Sequence, residues 1–429
     1  MMRKFLQKTL RIAAILVLKK YKPRIVAITG SVGKTSAKEA VFAVLRPYFR
    51  VRKNEKNYNN EIGAPLTIIG GVDAKRNVLL WLWNYFKAIL LILLPFRYPR
   101  VLVLELGADK PGDIRYLTEF IKPEISVVTA VGEIPVHVEF FAGPESVARE
   151  KRILVEVLPV WGWAILNYDD ATVFDMRERT EAHILTYGFG EGAKILATHY
   201  EIDPPSLDGS GGDMGGINFK INHDGSFVPI RLAGRFGKQN VYPALAAAAV
   251  GIVLGLNLIE IAEALDGWQA SPGRMRMLKG VKKSWIIDDT YNASPMATHA
   301  ALDTLRDLGA GKGEMPERRR IAVLGDMLEL GKFSIEAHEA VGQRARECAD
   351  LLFTVGPRGK LIADEAVKTG MPRENVFSFD TSDEAGEFLE SKIKEGDLIL
   401  VKGSRSMRME KIVRDIMAEP QKAEKLLVH

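Results

Sequence analysis

Residues 24–36 read Arg-Ile-Val-Ala-Ile-Thr-Gly-Ser-Val-Gly-Lys-Thr-Ser, an apolar run with strand character that enters a glycine loop closed by Gly33-Lys34-Thr35. Such an order of residue types suits a nucleoside triphosphate. Gly30 and Gly33 let backbone N–H groups approach phosphate oxygens, with Ser31 and Ser36 beside them, and a helix starting here points its positive end at the anion. Lys34 would reach the β and γ phosphates, and the Thr35 hydroxyl would hold Mg²⁺. Ordinary Walker spacing requires a glycine where Ile28 stands, so the loop is a shorter Gly-x-x-Gly-Lys-Thr, a string that an ordinary strand-to-helix turn can also produce. Glu105 closes a second apolar run, 101–104. A carboxylate at that end of a parallel strand faces the ligand crevice and can hold Mg²⁺ beside the triphosphate.

These groups need a scaffold that brings strand ends together. Strand patterns at 101–104 and 125–129 alternate with helical stretches at 37–45 and 239–256, which predicts a parallel sheet. Beyond residue 284, strands at 284–288, 320–324, 351–355 and 398–401 alternate with helices at 296–308, 334–349 and 407–417. The fold class is α/β: a central P-loop parallel-sheet ATPase domain followed by a smaller Rossmann-like α/β C-terminal domain. Expected boundaries are a basic and apolar N-terminal segment (1–23), a central domain (24–287) with an apolar insertion (76–98), and a C-terminal domain (288–429). The Pro-, Gly-, Ser- and Asp-rich stretch 203–216 reads as an exposed loop.

A chain of 429 residues, 47% hydrophobic and 26% charged, has a globular composition and room for two or three domains. The single Cys348 excludes an internal disulfide framework, fits a reducing compartment and reads as a small buried helix residue without a role. The net charge of +5 is unevenly spread, because the first 24 residues hold eight basic side chains and no acid. The slightly acidic remainder argues against a nucleic-acid groove across the fold, and no nucleic-acid partner is expected. A basic leader suits an anionic membrane surface instead. Its apolar run, 12–18, is short, is closed by Lys19 and Lys20 and precedes no small-residue cleavage site, so it reads as an attached helix and not a secretion signal.

Several strings fall in an order that resembles the Mur ligases of peptidoglycan synthesis. They are Thr29-Gly30-Ser31-Val32-Gly33-Lys34-Thr35, Asn59-Asn60-Glu61-Ile62-Gly63-Ala64-Pro65, Glu105-Leu106-Gly107-Ala108-Asp109-Lys110-Pro111-Gly112-Asp113, Asp288-Asp289-Thr290-Tyr291-Asn292 and Leu324-Gly325-Asp326-Met327-Leu328-Glu329-Leu330-Gly331. Within the family the likeness is to the branch that joins D-alanyl-D-alanine to a UDP-linked muramoyl tripeptide. The resemblance implies a reaction: ATP phosphorylates a carboxylate, an amine captures the acyl phosphate, and an amide, ADP and phosphate leave. It implies a cytoplasmic monomer acting on small peptide and nucleotide-sugar substrates with ATP and two Mg²⁺ sites.

Carried across residue by residue, the resemblance makes Thr35 and Glu105 Mg²⁺ ligands and puts His137 near a second metal, although a lone histidine is more often structural. Lys151 matches a lysine that the family carbamylates into a metal ligand, and its own surroundings in sequence suggest only a solvated helix lysine. Lys34, Lys151 and His137 form the implied catalytic set. Asn240 matches a residue placed against adenine, Arg274 one that reaches the phosphates, and Asp289 one associated with the ribose. Asn59, Asn60, Lys402, Ser404 and Arg405 are expected to hold substrate; a surface basic loop is the other reading of the last three.

Two features depart from the family. Its members carry an N-terminal domain for the UDP-sugar, whereas the nucleotide loop here begins at residue 29, so another surface binds that group or the acceptor differs, lipid-linked or presented by a partner. The second is 78–95, Val-Leu-Leu-Trp-Leu-Trp-Asn-Tyr-Phe-Lys-Ala-Ile-Leu-Leu-Ile-Leu-Leu-Pro. One membrane crossing would strand Lys34 and Glu105 on opposite sides. A re-entrant hairpin or an interfacial helix at the inner face of the cell membrane, with Asn77, Asn84 and Lys87 on a narrow polar face, survives that test, and so does packing against protein. Rival functions are the same chemistry on another carboxylate, as in folylpolyglutamate or cyanophycin synthesis, and a nucleotide-binding scaffold without catalysis.

Overall fold

The computed structural model describes residues 2–55, 58–205, 215–311 and 317–428. Residues 206–214, part of the expected loop at 203–216, lie outside the described residues. Nine strands form the first sheet: β1 (Arg24–Thr29), β2 (Val51–Lys53), β3 (Val101–Glu105), β4 (Ile125–Val128), β5 (Trp163–Asn167), β6 (His183–Gly188), β7 (Ile195–Asp203), β8 (Gly216–His223) and β9 (Ser226–Ala233). Their order is β2-β3-β1-β4-β5-β6-β7-β8-β9, parallel through β7 and antiparallel from β7 to β9. The second sheet holds β10 (Arg276–Lys279), β11 (Trp285–Asp289), β12 (Arg320–Gly325), β13 (Leu351–Val355), β14 (Val376–Phe379) and β15 (Leu398–Lys402), in the order β10-β11-β15-β12-β13-β14. Since β10 pairs with β11, this sheet begins at Arg276, ahead of the boundary expected at residue 288.

The central strands are buried on both faces, which explains their continuous runs of Val, Ile and Leu. Helices cover the first sheet from two sides. On one side lie α2 (Lys34–Leu45) and the alanine-rich helix Val241–Val253. On the other lie α1 (Met2–Tyr21), α3 (Gly63–Ile69), α4 (Val78–Leu93) and α5 (Asp113–Thr118).

The leader is therefore part of the core, with Leu10, Ala14 and Val17 of α1 fully buried. The insertion is one continuous helix of 16 residues and not a re-entrant hairpin. Its polar residues are engaged by the backbone of this chain. The Asn77 side chain caps α4 by accepting from the Leu80 N–H, and Asn84, buried, donates to Val72 O and accepts from Val72 N. Lys87 donates to Gly70 O. Asn84 and Lys87 face inward because the turn at 70–72 has backbone groups to satisfy, whereas Asn77 stays exposed. Among the described residues no helix is long and apolar enough to cross a membrane.

Candidate active site

The phosphate loop follows directly from β1. Gly30 has φ 144° and Gly33, at the N-terminus of α2, has φ 84°. A Cβ on Gly30 would stand 2.0 Å from Thr129 Oγ1, so only glycine lets the loop lie this close to the end of β4. The Lys34 ammonium donates to Gly30 O at 2.8 Å and Ser31 O at 3.2 Å, and burial lowers its pKa. Ser31 Oγ is buried with no hydrogen-bond partner among the described residues. That orphan hydroxyl, just before the start of α2, fits a phosphate oxygen, whereas the Ser31 and Val32 N–H groups donate to Ala130 O.

Sheet register supplies the acid. Ile28 of β1 pairs with Glu105 of β3, so the strand end carrying the carboxylate lies beside the strand that feeds the loop. The Thr35 hydroxyl donates to Glu105 Oε2 at 3.0 Å and accepts from Arg274 Nη2 at 3.1 Å. Asn59 Nδ2 donates to Glu105 Oε1 at 3.2 Å, and the buried Lys38 ammonium lies 3.6 Å from Oε2. One carboxylate and one hydroxyl are the sparse protein donor set that suits Mg²⁺ when phosphates and waters complete its shell. Sequence reasoning did not single out Lys38, whose signal was its spacing of one helical turn from Lys34.

Both sheets contribute to a cleft of about 980 Å³, and every residue singled out from the sequence lines it except Gly30 and Lys151. His137, with φ 70°, places Nδ1 2.5 Å from Glu329 Oε2 and Nε2 3.8 Å from Asp109 Oδ1. His137 holds the Glu329 carboxyl below its usual range. Glu329 belongs to the loop after β12, so this contact joins the two halves of the cleft; the sequence reading includes it in the string 324–331 but gives it no role.

Lys151, on α6 (Pro144–Glu156), is buried. The expectation of a solvated helix lysine is thereby corrected. Burial, followed by the positive charge of Lys34, lowers its pKa to about 7. Its neighbour Glu150 accepts from Gly112 N and Ile114 N and fixes the start of α5.

The remaining positions divide into open and engaged groups. Arg274 stacks 4.0 Å over the Tyr291 ring on its way to Thr35. Asn240, nearly fully buried, donates to Phe236 O and accepts from Arg235 Nη1. Asp289 accepts from Met275 N and pairs with Lys402 Nζ at 2.6 Å. Lys402 is thus not on a surface loop: it ends a central strand with 2% of its side chain exposed. Asn60 Oδ1 accepts from Ile62 N and Gly63 N at the start of α3, and Ser404 Oγ accepts from Leu328 N. Arg405 pairs with Glu410 at 3.1 Å and stays partly exposed at the rim.

A phosphate loop on one sheet, facing charged residues from a second α/β unit across one cleft, defines a two-lobed ATP-dependent ligase. The Mur ligase middle domain matches residues 88–251, and the Mur ligase, glutamate ligase domain matches residues 273–405. The UDP-N-acetylmuramoyl-tripeptide--D-alanyl-D-alanine ligase of Bacillus subtilis is 30% identical over 401 residues, covering 92% of this chain and 76% of the relative. The enzyme of that name from Mycobacterium leprae is 31% identical over 399 residues, covering 89% and 71%. A crystal structure of MurF from Acinetobacter baumannii superposes with a TM-score of 0.76 at 26% identity, covering 95% of this chain and 80% of that one. This chain belongs to the Mur ligase family.

Proposed function

We propose that this protein joins D-alanyl-D-alanine to a muramoyl tripeptide at the expense of ATP. The observation that carries this reading is the three-way junction at Thr35, where a phosphate-loop hydroxyl, the Glu105 carboxylate and the Arg274 guanidinium of the second lobe meet within 3.1 Å. The relatives named for that reaction support the choice of substrates.

A carboxylate is a poor electrophile until one oxygen carries a phosphoryl group. In the proposed sequence the γ-phosphoryl moves from ATP to a tripeptide carboxylate oxygen. The amine of the dipeptide then attacks the carbonyl carbon, phosphate leaves with the C–O bond electrons, and the amine proton passes to solvent. Lys34 and the N–H groups at the start of α2 hold the β and γ phosphates, and Arg274 shields the approach of two anions. Mg²⁺ at Thr35 and Glu105 would supply further charge neutralisation. His137, tied to Glu329, holds the lobes in register, and Lys151, once carbamylated by CO₂, would offer a carboxylate-like oxygen where a bare ammonium repels metal. Asn240, Asp289 and Tyr291 line the nucleotide side; Asn59 and Arg405 face the acceptor side. One chain supplies every group named, and the reading places the reaction in the cytoplasm, where ATP is available.

Purified protein with ATP, Mg²⁺ and D-alanyl-D-alanine should release phosphate and form product of the added dipeptide mass with UDP-muramoyl-tripeptide or its lipid-linked counterpart. Phosphate release without amide product in both cases would refute the substrate assignment.

A further inference from the structure

Helix α4 is amphipathic in the reverse of the usual sense. A surface helix ordinarily turns its polar side chains outward and buries its apolar stripe. Here Asn84 and Lys87 are tied to the turn at 70–72, whereas Leu79 is 76% exposed and Leu93 71% exposed. Leu82, Phe86 and Ile89 continue the same outward stripe at helical spacing.

Helix α1 extends this stripe. It runs alongside α4 in the same direction: Thr9 Oγ1 meets Tyr85 Oη at 2.5 Å, and Lys20 caps the C-terminal end of α4 through the carbonyls of Leu91, Ile92 and Leu94. Ile12 and Leu16 lie one and two turns beyond Thr9, and Leu82 and Ile89 lie one turn to either side of Tyr85. With Phe5 these exposed side chains form one apolar surface across two helices, a feature that monomeric soluble proteins rarely leave unused.

The rim of that surface is basic. Residues 1–24 and 74–100 contain no acidic residue; acids beside this rim are Asp73, which accepts from Lys75 N, and Glu61, paired with Arg3. Arg3, Lys4 and Lys8 stand exposed at the end shared with Lys75 and Arg76, and Lys19, Lys22 and Arg97 stand exposed at the other. A second copy would set this positive rim against itself. Anionic lipid headgroups complement it, and the acyl boundary complements the stripe between.

We propose that the joined outer faces of α1 and α4 dock this protein onto an anionic membrane surface, with both helices lying in the plane of the interface. Helix α4 spans about 24 Å at 1.5 Å per residue, short of a bilayer core of about 30 Å. Because β1 and β3 are hydrogen-bonded neighbours, the chain that leaves one must return to the same side to reach the other. Docking also sets the cleft near the headgroups: Arg3 and Gln7 bond Glu61 at 2.9 and 2.7 Å, immediately after Asn59 and Asn60, which line the cleft.

The test is co-sedimentation of the full chain with vesicles of phosphatidylcholine alone and of phosphatidylcholine with phosphatidylglycerol. Binding to the anionic vesicles should exceed binding to the neutral ones at least about tenfold and should weaken as NaCl rises from about 50 to about 500 mM. Leu82→Asp with Ile89→Asp should abolish it without changing the thermal midpoint, and Lys4→Glu with Lys8→Glu should reduce it at least about fivefold. In the wild type, lipids brominated on the acyl chain should quench Trp83 fluorescence, and Trp83→Phe should remove that part of the quenching; this readout holds even if a charge variant misfolds. Absence of binding to anionic vesicles at low salt overturns the proposal. So does binding that neither variant pair alters, or a dimer in light scattering that Leu82→Asp with Ile89→Asp disperses.

Discussion

Asp289 and Lys402 are register partners at the ends of the adjacent parallel strands β11 and β15, and their side chains meet at 2.6 Å with Lys402 almost wholly buried. The pair ties the floor of the second lobe to the start of the segment 290–294, since Lys402 also donates to Asn292 O at 2.9 Å. Removing one member of a buried pair leaves an uncompensated charge. Lys402→Met is expected to cost about 3–5 kcal/mol in urea unfolding, and adding Asp289→Asn should recover part of that loss.

Glu105 should matter both for chemistry and for the buried Lys38 beside it. Glu105→Gln keeps the size of the side chain and one acceptor oxygen for Asn59, turns the bond with Thr35 round so that the amide donates, and removes the charge beside the phosphate loop. We expect phosphate release to fall at least about 10²-fold, and the unfolding midpoint to drop as well, because the buried Lys38 ammonium loses the Glu105 charge and keeps the Glu39 carboxylate beside it. Lys34→Ala should lose activity to a similar degree and weaken nucleotide binding as well, read by calorimetry.

Lys151 gives a pH signature in CO₂-free buffer. Its pKa is about 7 in the folded protein against 10.5 in the unfolded chain. Between these values the unfolded state binds the extra proton, so the lysine's contribution to stability is full above 10.5, declines as pH falls, and is lost below about 7. Lys151→Met should flatten the rise in urea stability from pH 7 toward pH 10. In buffer with ¹³C-bicarbonate at pH 8, wild type should show a carbamate resonance that is absent from the variant.

The single thiol offers a test of burial. Cys348 is fully buried, and burial raises its pKa to about 11. A thiolate reagent at pH 8 should titrate no fast thiol in the native protein and one per chain in denaturant.

Much of this arrangement is legible in the sequence because it is local. The turn at Gly30 and Gly33, the strand ending in Glu105 and the alternation of strands and helices after residue 284 each declare themselves within a dozen or so residues. What the sequence conceals depends on distant partners. Asn60 has the residue type of a substrate ligand, yet its oxygen is taken up at the start of α3. Lys402 looks like part of a basic surface loop until β15 is placed between β11 and β12. The polar residues of α4 point inward only because the turn at 70–72 lies behind them. The antiparallel β8 and β9 escaped notice because their mixed polar and apolar residues gave no continuous apolar run.

The pairing of Ile28 with Glu105 has a mechanical consequence. Lys34 and Thr35 open the helix that follows β1 and Glu105 ends the neighbouring β3, so any rotation of the lobes leaves their mutual spacing untouched. Arg274, Asp289 and Glu329 travel with the other sheet. A hinge between the sheets would therefore carry the second group of residues as one body without disturbing the first.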